Sequence, residues 1–77
     1  MTDYRDHIIS DHRVQLGKPV IKGTRLTVEM IVRKLSEGAT NTDLIRMYPG
    51  LTEADIRAVL QYAAELLAHE EPVVPAA

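Results

Sequence analysis

Four cations gather near the front of the chain, Arg13, Lys18, Lys22 and Arg25, and from Lys18 to Arg25 no acid interrupts them. Cations at a turn or along a strand can meet phosphate oxygens, the contacts that dominate affinity for a nucleic acid. The same run also reads as a solvated strand face. A second pair stands further on. Arg57 and Gln61 are one helical turn apart, and those side-chain types hydrogen-bond guanine and adenine edges. Glu53 lies four residues before Arg57 and offers an ordinary ion pair along the helix instead. A third candidate is the string Pro72-Val73-Val74-Pro75. Its prolines preset extended backbone, which suits addition to a partner's sheet edge or groove. A frayed terminus is the plainer alternative.

Catalytic chemistry finds less support. His7, His12 and His69 show no zinc-ligand spacing. Ser10 sits beside Asp11 and near both His7 and His12, but a triad is assembled in space and adjacency does not announce one. Gly17 and Gly23 lack the spacing of a phosphate-binding loop. The expectation is a chain with no catalytic residues, no metal and no cofactor.

The elements that must position these residues follow from local rules. Val20-Ile21 and Leu26 favour strand, and Gly23-Thr24 between them suits a tight return. Ile8-Ile9, and Val14 with Leu16, each suggest a further short strand, pairing with Val20-Ile21 or with a second subunit, and Asp11-His12-Arg13 suggests a turn. Tyr4 to Asp6 reads as loose. A first helix is expected from Thr27 as N-cap, with Val28, Ile31, Val32 and Leu35 as its apolar stripe, Glu29 four residues ahead of Arg33, and Gly38 as its stop. Thr40 with Asp43, and Thr52 with Asp55, are two capping-box variants opening two more helices. Leu44, Ile45 and Met47 are expected to form the buried side of the second. Tyr48-Pro49-Gly50 ends it, with Leu51 tucked into the corner. Ile56, Val59, Leu60, Ala63 and Leu67 give the third helix its period, ending near Leu67 to His69. The fold class is therefore mainly α, a three-helix helix-turn-helix with a short N-terminal β hairpin. Residues 1–69 form one domain and 70–77 a C-terminal tail.

With 77 residues, one domain is the sensible count, and a core this small gains from oligomerisation or a partner. Six apolar residues in the front end, Ile8, Ile9, Val14, Leu16, Val20 and Ile21, point to a homodimer, being many for one three-helix core. No cysteine is present, so disulfides and thiolate metal sites are excluded. The N-terminal residues lack the order of a signal peptide, and no apolar run approaches the roughly 20 residues that span a bilayer. A soluble cytoplasmic protein without membrane contact is expected. The net charge of −2 hides an asymmetry. Residues 1–34 carry seven cations against four acids, and residues 35–77 carry two cations against seven acids. A basic front suits phosphate and an acidic back suits a basic protein.

The segment Gly17-Lys18-Pro19-Val20-Ile21-Lys22-Gly23-Thr24-Arg25-Leu26-Thr27-Val28 resembles the opening signature of the domain of unknown function 433 family. Tyr48-Pro49-Gly50-Leu51-Thr52-Glu53-Ala54-Asp55-Ile56 and Ala58-Val59-Leu60-Gln61-Tyr62-Ala63 extend the likeness, as do Gly38-Ala39-Thr40 and Ile45, so that it runs from about Ile8 to Leu66. The resemblance implies a homeodomain-like helical domain with a β segment in front. It also implies an antitoxin of the VapB-like kind, encoded beside a PIN-type ribonuclease toxin that it binds and inhibits, with autoregulation through operator DNA. Two alternatives stand beside it. One is a stand-alone DNA-binding transcriptional regulator, in which two hairpins of a dimer double the basic footprint. The other is a dimeric protein adaptor with no nucleic-acid role.

Overall fold

The computed structural model describes residues 3–69. A 3-10 turn, Tyr4–Asp6, precedes strand β1 (Ile8–Ile9), which pairs antiparallel with β2 (Val20–Ile21), Ile8 opposite Ile21 and Ile9 opposite Val20. Three helices follow: α1 (Val28–Ser36), α2 (Asn41–Met47) and α3 (Glu53–Ala68). The architecture is mainly α with a small hairpin in front. A corner from Tyr48 to Thr52 joins α2 to α3 in helix-turn-helix order.

Each helix starts where a threonine side chain meets an unpaired backbone donor. Thr27 Oγ1 accepts from the Met30 N–H at 3.1 Å. Thr40 and Thr52 each form a full capping box with the aspartate three residues on. These contacts answer the orphan N–H groups of a first turn and typically contribute about 1 kcal/mol each. Gly38, at φ 104°, carries the chain out of α1 in a conformation an L side chain resists.

The core lies where the hairpin meets all three helices. Val20, Ile21, Ile31, Leu44, Ile56 and Val59 are its largest fully buried side chains. Burying each contributes roughly 1.5–3 kcal/mol. The sheet is too short to hold by itself. Backbone bonds tie it to the start of α1, Val28 N–H to the Pro19 carbonyl at 2.9 Å, and to the segment just before that helix, Ile21 N–H to the Leu26 carbonyl at 2.9 Å.

Several expectations are corrected. Tyr4–Asp6 is an ordered turn whose Tyr4 ring packs edge-on against Tyr62 of α3, centroids 5.5 Å apart. Val14 and Leu16 form no strand. Gln15–Gly17 is a 3-10 turn with positive φ at all three residues, 52°, 56° and 86°. The hairpin strands are β1 and β2, joined through that turn. The return at Gly23 contributes a single bridge, Val20 to Thr27. Ile45 and Met47 are 37% and 50% exposed, so α2 buries Leu44 alone. Leu60 and Leu67 are 49% and 63% exposed: Leu60 lies within the covered half of α3 but turned from the face of Ile56 and Val59, and Leu67 lies beyond the last buried residue of the helix. Of the six apolar residues in the front end, Ile8, Val20 and Ile21 are absorbed by the chain's own core, and Leu16 and Ile9 are the exposed large ones. No helix among the described residues is long and apolar enough to cross a membrane.

Candidate functional site

The basic front end is held out into solvent. Lys22 and Gly23 occupy the turn after β2, fixed by three bonds: Lys22 N–H to the His7 carbonyl at 2.7 Å, Thr24 N–H to the Ile21 carbonyl at 3.0 Å, and Thr24 Oγ1 donating to the same carbonyl at 2.8 Å. Gly23 takes φ 81°, where a side chain would be strained. Lys22 and Arg25 are exposed and, among the described residues, enter no ion pair. The other two cations are already engaged. Arg13 forks onto Asp11 at 3.2 and 3.1 Å. Lys18 reaches Glu29 at 3.3 Å, a carboxylate that Arg33 also holds at 3.1 Å. Those guanidinium and ammonium partners keep the Asp11 and Glu29 carboxyls below the usual carboxylate range: Arg13 for the first, Arg33 and then Lys18 for the second. A phosphate approaching Arg13 or Lys18 must therefore compete with an existing partner, whereas one approaching Lys22 or Arg25 need not.

On α3, Arg57 is exposed and Gln61 half-buried. Glu53 and Arg57 do not form the expected ion pair among the described residues. Asp55, at the same end, is committed elsewhere. Its Oδ2 accepts from the Thr52 N–H at 3.0 Å, and its Oδ1 lies 2.8 Å from Nδ1 of His7. Burial pushes the Asp55 carboxyl up, but the hydrogen bonds from His7 and Thr52 outweigh it and leave the group below its ordinary value. The partnership joins residues 48 positions apart and was not legible in sequence. Pro72, Val73, Val74 and Pro75 lie outside the described residues.

Two apolar surfaces remain uncovered. Leu60, Ala64 and Leu67 are all exposed and recur at four and three residues, so they fall on one outer face of α3. A separate open groove of about 540 Å³ lies between α1 and the second half of α3, walled by Val28, Val32, Tyr62, Ala63, Leu66 and Pro19, with Glu29, Arg33 and Ser36 at its edge. Sequence periodicity marked Val28, Val32 and Ala63 but not Pro19, Tyr62 or Leu66, which join them only through the packing of β2 and α3 on α1. Among the described residues no three His, Cys, Asp or Glu side chains cluster as metal ligands do.

The family model described as a protein of unknown function, DUF433, matches residues 8–63. The chain is similar to the crystal structure of a DUF433 member protein from Anabaena variabilis ATCC 29413, at 30% identity and a TM-score of 0.77, over 83% of this chain. The match takes in 63% of that protein, so this chain spans less than two thirds of its relative's length. No curated protein matches the chain.

Proposed function

This chain belongs to the DUF433 family of proteins of unknown function, and on that premise we propose that it is an antitoxin that binds and inhibits a PIN-type ribonuclease, acting by contact and with no reaction centre of its own. The observation that carries the reading is the bare Leu60–Ala64–Leu67 face of α3. An apolar stripe on one side of a helix is what a partner's groove accepts in helix-in-groove recognition. The charge around it supports a basic partner. Glu53 and Glu65 are exposed on the helix with Arg57 as its single cation, and residues 35–77 as a whole carry seven acids against two cations. A ribonuclease must hold a polyanion, so its substrate surface is cationic and an acidic helix can occupy it.

Co-expression with a PIN-type ribonuclease encoded beside it tests this reading. Growth arrest by the nuclease should be relieved by the unaltered chain and not by the Leu60→Asp, Leu67→Asp double variant. Failure of the unaltered chain to form a complex or rescue growth would remove the proposal.

A second reading, operator binding, draws on Lys22 and Arg25, the two of the four candidate cations Arg13, Lys18, Lys22 and Arg25 that no acid among the described residues holds. It supports autoregulation by an antitoxin and a stand-alone regulator equally well. Each released counterion steepens the fall of affinity with salt. Charge reversal at Lys22 and Arg25 should therefore abolish duplex binding and its salt slope together. Absence of duplex binding even at low salt leaves the protein-binding role alone, including a dimeric adaptor.

A further inference from the structure

Leu16 is 93% exposed, the most exposed large apolar side chain among the described residues. It is also held in an uncommon backbone. Gln15 and Leu16 both take left-handed dihedrals, a conformation disfavoured for residues with a Cβ. The turn is held by three backbone bonds: Val14 N–H to the Asp11 carbonyl at 2.7 Å, Gly17 N–H to the Val14 carbonyl at 3.1 Å, and Lys18 N–H to the Gln15 carbonyl at 3.2 Å. Gln15 Nε2 adds a long bond to the Arg25 carbonyl at 3.4 Å. A strained turn that displays a leucine to water needs a compensation outside its own contacts. The α1–α3 groove is the complementary feature: apolar, open, and without an occupant among the described residues.

The geometry points to a homodimer in which Leu16 of each protomer seats in the α1–α3 groove of the other. Leu16 does not reach its own groove, as its exposure shows. The loop behind it is pinned to α1 by the Val28–Pro19 backbone bond and the Lys18–Glu29 ion pair. Yet knob and hole adjoin. Pro19 walls the groove and stands three residues from Leu16, so one continuous patch carries both, as a two-fold interface requires. The charges match as well. Arg25, which enters no ion pair among the described residues, is tied to the Leu16 turn through the Gln15 bond to its carbonyl, whereas α3 carries Glu65 beside Leu66, 3.7 Å from His69 Nε2. Arg33, the cation at the groove edge, is already held by Glu29. Bringing the turn of one protomer to the groove of the other therefore sets opposite charges around a dry centre, the pattern that selects a specific partner.

This dimer does not depend on the toxin-binding reading, which rests on a different face of α3, and the experiment keeps the two apart. Sedimentation equilibrium of the purified chain should show a dimer. Leu16→Asp should weaken self-association by roughly thirty-fold or more, as loss of a central anchor does. Leu66→Asp should do the same from the groove side. Both variants should keep the helical circular dichroism of the parent, because both side chains are exposed in the protomer. Leu67→Asp, on the outer face, should leave the dimer intact. The cysteine-free background allows a direct check of pairing: Leu16→Cys chains mixed with Leu66→Cys chains under mild oxidation should couple across the two variants. A monomeric parent, an Asp variant at Leu16 that dimerises unchanged, or Leu16→Cys chains that couple to one another in preference would each overturn the proposal.

Discussion

Two capping boxes with the same sequence pattern open α2 and α3, and they do different amounts for the fold. At α2, Thr40 Oγ1 accepts from the Asp43 N–H at 3.0 Å and Asp43 Oδ2 accepts from the Thr40 N–H at 2.9 Å, both at the surface. At α3, Thr52 and Asp55 repeat the exchange at 3.1 and 3.0 Å. There the second carboxylate oxygen is also used, 2.8 Å from His7 Nδ1 at the foot of β1. The backbone of His7 meanwhile accepts from Lys22 at the basic turn. One box finishes a helix; the other finishes a helix and ties the N-terminal segment to it. A local motif thus acquires tertiary weight from where its spare lone pair points.

The largest effect is expected at Asp55. Asp55→Ala removes the acceptor of the Thr52 N–H and strands His7, and should lower unfolding free energy by about 2–3 kcal/mol, read by urea denaturation. Next comes the coupling itself. A double-mutant cycle of His7→Ala with Asp55→Ala should give an interaction energy of about 1 kcal/mol, while the same cycle against Asp43→Ala should give none. Equal coupling to both boxes would erase the distinction. Asp43→Ala alone should cost visibly less than Asp55→Ala and leave the N-terminal amides of residues 4–9 as protected from hydrogen exchange as before. Asp55→Ala should expose them.

Acid titration sharpens the contrast further. Asp55 is depressed by His7 and Thr52 against the upward push of burial, and Asp43 by the Thr40 backbone N–H first. A carboxyl lowered by folding contributes stability in full above its unfolded pKa and loses it as pH falls through the folded value. The parent should therefore lose stability below about pH 4, and the Asp55→Ala variant should show a flatter curve there. The smallest effect belongs to the exposed cluster of Lys18, Glu29 and Arg33. Glu29→Gln should leave the melting temperature essentially unchanged, because water screens such pairs.

The helix starts at Thr27, Thr40 and Thr52, the exit at Gly38 and the buried corner at Leu51 were legible from the sequence, since each depends on residues within a few positions of one another. So was the Glu29–Arg33 pair. The outward faces of Leu60 and Leu67 were not, because periodicity reports that a helix is amphipathic and not which side its neighbours cover or how far they extend along it. Leu16 misled for a related reason. Alternation of Val14, Gln15 and Leu16 looks like a strand, and only the bonds that Val14 N–H and Gln15 Nε2 donate to the Asp11 and Arg25 carbonyls select the left-handed turn. Among the candidate contacts to nucleic acid, composition could not separate Lys22 and Arg25 from Arg13 and Lys18; the positions of Asp11 and Glu29 do so.

By itself, then, the sequence determined the kinds of element, their limits and the uneven charge of the two halves, because capping, turn formation and helical period act over three or four residues. Tertiary structure decided which apolar side chains were left over. It made His7 a partner of Asp55, set Leu16 out in solvent and opened a groove beside Pro19. Those outcomes depend on closing loops of ten to fifty residues, and the geometry of closure is written in the packing of Ile21, Ile31, Leu44 and Ile56 together, not in any one stretch of the chain.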